Sequence, residues 1–189
     1  MIGVVLVLTA VGGLVARSIY QPAANAATQP SAAPPPSADA PTSGTVTQDP
    51  DSKQVKLSAD AASSPYGKTV LDLLQTYYNA INDNTYLEWE STVTPAFIAA
   101  TPQESWENGY SSSQDTGMYV YRINSAPDNQ LRVLLTFNSH QDPSKAPDTA
   151  PYACITWHSV LTMSDTKSGW KIDAGTAGSH PITEECAGS

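Results

Sequence analysis

The chain has 189 residues and carries 9 Lys and Arg against 18 Asp and Glu, a formal net charge of −9. No basic cluster interrupts that excess, so the phosphate-neutralising face that nucleic-acid binding needs is excluded. The length suits about one domain, but residues 21–63 hold 7 of the 15 prolines and no aromatic side chain; such a stretch cannot offset its ordering entropy by apolar burial, which leaves residues 64–189 for the core.

Residues 2–16 are free of charge up to Arg17, and Ile19 and Tyr20 follow. As a helix, residues 2–20 reach roughly 28 Å, close to a bilayer core of about 30 Å if Arg17 snorkels to the interface. Residues 1–20 therefore read either as an uncleaved transmembrane anchor or as a signal segment, cleaved after Ala24-Asn25-Ala26. Arg17 stands between the apolar run and that A-x-A site, which disfavours cleavage and makes the anchor the preferred reading. Neither reading finds the usual basic residues ahead of the run, which points to a start upstream of Met1. In both cases the domain is expected outside the cytoplasm, held at the cell membrane or secreted after Ala26. Residues 21–63 read as a disordered, semi-stiff tether rich in Pro, Ala, Ser and Thr.

Ser64-Pro65 reads as the N-cap and first position of a helix over about 65–82, with Val70, Leu74, Tyr77, Tyr78 and Ile81 at helical spacing. A short helix with Tyr86, Leu87 and Trp89 follows and is broken at Thr94-Pro95. Thr101-Pro102-Gln103-Glu104 has the form of a capping box opening a third helix with Trp106 and Tyr110. Strands come next. Met118–Ile123 alternates, Pro127-Asp128-Asn129 turns, and Leu131, Val133, Leu135 and Phe137 mark one buried face. Residues 142–151 form a loop. Ala153–Met163 is a strand with Ile155, Trp157, Leu161 and Met163 on one side and Cys154, Thr156, His158 and Val160 on the other, and Trp170–Asp173 is a last short strand. Helices first and an antiparallel meander after give an α+β domain over 64–189 with the helices on one face of a curved sheet.

Cys154 and Cys186 are the two cysteines. An exported chain meets an oxidising compartment, where two such residues pair. Closing a loop of about 32 residues stabilises by roughly 3–4 kcal/mol and ties the C-terminal tail to a strand. A metal site needs more ligands than two distant cysteines and three scattered histidines, and a cysteine nucleophile needs a base that nothing identifies.

The order Tyr77-Tyr78-Asn-Ala-Ile-Asn, Tyr86-Leu-Glu-Trp89, Trp106-Glu-Asn-Gly-Tyr110, Thr136-Phe-Asn-Ser-His140-Gln141, Cys154-Ile-Thr-Trp157 and Gly169-Trp-Lys-Ile-Asp173 resembles the nuclear transport factor 2-like superfamily, with its SnoaL-like and ketosteroid-isomerase-like members. More closely, it is similar to the exported forms that actinobacteria tether by a Pro/Ala-rich linker. The resemblance spans about residues 65–186. It implies a cone, in which one long helix and several short ones pack in the concavity of a strongly bent antiparallel sheet. It also implies a function not settled by fold, because the superfamily holds enzymes with an acid/base pair in the cone, often Asp or His with Tyr, and plain binding or accessory domains. Members often dimerise through the sheet, so a homodimer is one expectation.

Tyr77 and Tyr78 lie on the right helix for such a pair, though core packing is the simpler reading for both. His158 is the other weak catalytic candidate, a base if it faced inward; its phase with Cys154, Thr156 and Thr162 favours the outer face. His140 ends a strand, and His180 precedes Pro181 in the tail; both read as surface residues. Glu88 and Glu90, and likewise Glu184 and Glu185, read as solvated faces. Asp142 and Asp148 lack the spacing of a cation loop, and Gly109–Ser113 lacks the glycines and lysine of a phosphate loop. No metal or cofactor is implied.

The expected function is that of a non-enzymatic extracytoplasmic domain, membrane-tethered or secreted, that binds a small ligand or an envelope protein. An isomerase, dehydratase or hydrolase working in the cone is the alternative, and an accessory subunit of a membrane complex is a third. A deep apolar cavity with converging Tyr, His or Asp groups would favour the enzyme; a cone filled by Trp and Tyr would favour the binding or structural role.

Overall fold

Regular structure begins earlier than the proline-rich composition suggests. The structure, a computed structural model, describes residues 49–174 and 181–187; the apolar segment 2–20, the tether up to residue 48 and His180 lie outside the described residues. Strand β1 (Lys56–Leu57) and helix α1 (Ala59–Ser63) fall inside the stretch expected to be tether. β1 lies parallel to the strand at Tyr119–Val120, and the Ser58 hydroxyl caps α1 by accepting from the Ala61 N–H. Ser64 thus closes α1 instead of opening the next helix, which runs from Gly67 to Asn82 (α2). Gly67 is fixed by crowding: a Cβ there would stand 2.8 Å from the Ala61 carbonyl oxygen.

Helix α3 (Tyr86–Thr92) ends before Thr94-Pro95, which begins another helix as well. The Thr94 hydroxyl accepts from the Phe97 N–H, and Pro95 opens α4 (Pro95–Ala100). Proline lacks only a donor that would be unpaired there, so the same dipeptide stops one helix and starts the next. Helix α5 (Gln103–Tyr110) has Pro102 at its N-cap with no side-chain cap, so the capping box does not form. Among the described residues no helix is long and apolar enough to cross a membrane.

Strands β2 (Gln114–Ala126), β3 (Gln130–His140), β4 (Cys154–Thr166) and β5 (Gly169–Ile172) form an antiparallel meander, and β6 (Ile182–Glu185) returns to pair with β4. The domain is therefore α+β, with helices followed by a curved, unclosed and largely antiparallel sheet. Asp128 and Asn129 take positive φ in the β2–β3 turn, a conformation that Asp and Asn tolerate better than most residues. β6 was not expected from the sequence. It pairs from Ile155↔Glu185 to His158↔Ile182, and its end is fixed by the Cys154–Cys186 disulfide, with Cα atoms 5.4 Å apart.

The core forms where the α2 stripe Val70, Leu74, Tyr78 and Ile81 meets Met118, Val120, Leu131, Val133, Leu135, Met163 and Ile172 of the sheet. Trp89 and Trp106, both fully buried, pack with Tyr86 at centroid distances of 5.4–5.6 Å. These aromatics fill the region of the short helices. They leave open a space farther along α2.

Candidate functional site

Asp115 is the residue around which this space is organised. It stands near the start of β2, only 3 % exposed, opposite Ser139 of β3. Facing antiparallel partners share one side of a sheet, so the Ser139 hydroxyl lies beside the Asp115 carboxyl. The backbone of Asp115 is held from the other side. Asn82, the last residue of α2, accepts from the Asp115 N–H at 2.5 Å and donates to its carbonyl at 2.9 Å. One amide thus joins the end of the long helix to the start of the sheet.

A bulge sets the direction of the side chain. Between Thr116 and Tyr119 the β2–β3 register shifts, and Gly117 takes φ 62°. The extra residue changes the phase of the strand. Asp115 before the bulge and Met118 and Val120 after it therefore all reach the buried side.

The cavity that Asp115 enters has a volume of about 500 Å³. Its wall includes Tyr77, Tyr78 and Ile81 from α2, Tyr110 from α5, Phe137 and Ser139 from β3, and Trp157 and Leu161 from β4. The aromatic side is continuous: Tyr77 to Tyr78 is 5.3 Å, Tyr78 to Phe137 5.2 Å, and Phe137 stacks on its cross-strand partner Trp157 at 6.1 Å. Gln141, Lys145, Pro147 and Pro181 add to the lining. The Lys145 ammonium is turned onto Asn108, bonding its carbonyl at 3.0 Å and its side-chain oxygen. Two further wall residues hold buried N–H groups with no partner among the described residues, Trp157 at Nε1 and Gln141 at Nε2.

Burial controls the electrostatics. Loss of water around the Asp115 carboxyl pushes its pKa up to about 7, with the Ser139 hydroxyl pulling weakly the other way. Tyr110 is raised to about 12, first by burial and then by the Asp115 charge. Burial also holds Tyr77 and Tyr78 well above the ordinary phenol range, with Asp115 and the neighbouring tyrosines adding to it. The three phenols are thus neutral donors and acceptors across the accessible pH range, while the carboxyl changes charge near neutrality.

The structure brings together some residues singled out from sequence and separates others. Tyr77 and Tyr78 both line the cavity. His158 does not: it lies on the opposite side of β4, with its Nε2 3.1 Å from Glu184 Oε1 in an exposed pair. His140 Nε2 lies 3.6 Å from the disulfide sulfur of Cys154. Glu88 accepts from the Thr85 hydroxyl, and Glu90 and Glu185 line no part of the cavity. Asp142 caps the turn Pro143–Lys145 by accepting from the Ser144 N–H, which lowers its pKa; Asp148 is exposed. Among the described residues no cluster of three or more His, Cys, Asp or Glu is placed to hold a metal ion.

Asp115 and Tyr110 are the members that sequence reasoning missed. The signal for Asp115 was Gly117, because a glycine inside a strand marks a bulge. No protein-family model matches the chain, and no curated protein matches it in sequence.

Proposed function

We propose that the domain binds a small organic molecule with an apolar body in the cavity between α2, α5 and the sheet, and that it does so outside the cytoplasm. The single observation that carries this reading is a 500 Å³ space lined by aromatic rings with one buried carboxyl converging on it. Sites for small molecules have volumes of about 300–1,000 Å³, with apolar walls and few polar groups. Trp89 and Trp106 fill the region beside the cavity and not the cavity itself, so space for a ligand remains. The helix-first order, the curved sheet and this placement also support the nuclear transport factor 2-like cone. The disulfide fits an oxidising compartment.

A fragment screen by amide NMR on the full chain tests the reading. Binding should move signals of Tyr78, Tyr110, Asp115 and Phe137 together. Fragments that shift only surface residues, or none at all, would remove the cavity from consideration.

The second reading is an enzyme, the one that an open apolar cavity with converging Tyr and Asp groups was expected to favour, and it rests on Asp115 lying with Tyr77 and Tyr110 in one desolvated site. A carboxyl that titrates near pH 7 beside neutral phenols has the composition of a general acid–base pair. Under this reading the ligand recovered from the native host would be returned chemically altered after incubation with the protein, and the Asp115→Asn variant would return it unchanged. An envelope protein partner remains the proposal for the outer surfaces and would be found by crosslinking in the native membrane.

A further inference from the structure

The cavity contains a carboxylate and aromatic faces, with its one lysine engaged elsewhere. Among the described residues Asp115 is the only acidic one in the wall, and no Arg or His lines it. Lys145 stands in the lining, but its ammonium is bonded to the carbonyl and side-chain oxygens of Asn108. Asp115 is faced by Tyr77 and Tyr78 from α2, Tyr110 from α5 and Ser139 from β3, none of them cationic. Tyr77, Tyr78, Phe137 and Trp157 form a continuous run of ring contacts in the same wall.

We infer that the ligand is an organic ammonium cation, an amine head on an apolar body, whose charge sits against Asp115 and the tyrosine rings and whose body lies along Phe137 and Trp157. This rests on the cavity being a ligand site, as proposed above, and adds the charge of the ligand. Folding has already stripped the carboxylate of water, so a cation that reaches it meets a partner prepared for a charge-assisted hydrogen bond. Ring faces attract ammonium groups and compensate for part of the water the cation loses. A carboxylate ligand would be repelled by Asp115 once that group ionises. A neutral ligand would leave the charge unanswered at any pH above about 7. The acidic balance of the whole chain, −9, favours the same sign of ligand. The unpartnered donors on Trp157 and Gln141 have almost no accessible surface and are closed to a ligand as the wall stands.

Three near-isosteric probes test this on the full chain: 4-phenylbutylamine, 4-phenylbutan-1-ol and 4-phenylbutanoate, titrated calorimetrically between pH 5.5 and 8.5. The amine should bind at least about tenfold more tightly than the other two at pH 8, and its affinity should fall as the pH drops through 7 and Asp115 takes up a proton. In Asp115→Asn the amine should lose that advantage over the alcohol. Should the variant fold poorly, the wild-type pH profile tests the same point by itself. Alcohol or carboxylate binding as tight as the amine at pH 8 would overturn the cation inference and leave the ligand site standing. Failure of all three probes to bind would remove the ligand site, and the inference with it.

Discussion

At the residue scale, Asp115 ties stability to pH in an unusual direction. Its carboxyl titrates near 7 in the folded chain and near 3.8 when solvated. Between these values the folded state holds a proton that the unfolded state has released. Stability from this group is therefore present below about pH 4, declines as the pH rises and is fully lost above 7. Asp115→Asn removes the charge and keeps the shape. It is expected to raise the melting temperature at pH 8, corresponding to about 2–4 kcal/mol, with the difference from wild type closing near pH 4. A constant difference across that range in thermal scans would contradict the assignment. His158 and Glu184 form the contrasting case. Their pair is exposed and worth about 1 kcal/mol or less, so His158→Ala should leave both ligand affinity and stability nearly unchanged in the same titrations and scans.

At the scale of elements, the decisive feature is the bulge at Gly117. An L-residue at φ 62° costs roughly 1–2 kcal/mol, so Gly117→Ala should lower the unfolding free energy from denaturant titration by that amount. If the strand regains regular pairing, Asp115 turns outward and ligand binding is lost as well. Amide hydrogen exchange along β2 would separate the two effects. The bulge also explains what could be read from the sequence. β3 and β4 alternate regularly, so their inward faces, including Phe137 and Trp157, follow from the residue pattern alone. β2 does not keep one phase. Regular alternation would put Asp115 opposite Met118 and Val120, and the residue most central to the site is hidden for that reason. α4 was missed because Thr94-Pro95 signals a stop and a start alike. β6 was missed because Ile-Thr-Glu-Glu is short and polar, with no alternating apolar face to mark it as a strand.

At the scale of the whole molecule, the expected membrane anchor and the expected tether up to residue 48 lie outside the described residues, and the expectation that the domain works outside the cytoplasm rests on them. Intact mass of the protein from membrane and medium of its native host checks the expectation. A mass starting at or before Met1 in the membrane marks an anchor, and one starting at Ala27 in the medium marks cleavage. The Cys154–Cys186 bond should be present in either fraction. Replacing both cysteines by serine is expected to cost about 3–4 kcal/mol, from the entropy of a 32-residue loop, and denaturant titration would measure it.

The same bond has a consequence for kinetics. Pro181, just ahead of β6, is part of the cavity wall, and β6 is held to β4 by four residue pairs and the disulfide at its far end. A short edge strand relieved of its covalent fastening frays readily. If the cavity holds a ligand as proposed, reduction should therefore shorten that ligand's residence time while leaving the aromatic wall itself in place, so that the disulfide acts as a latch on release.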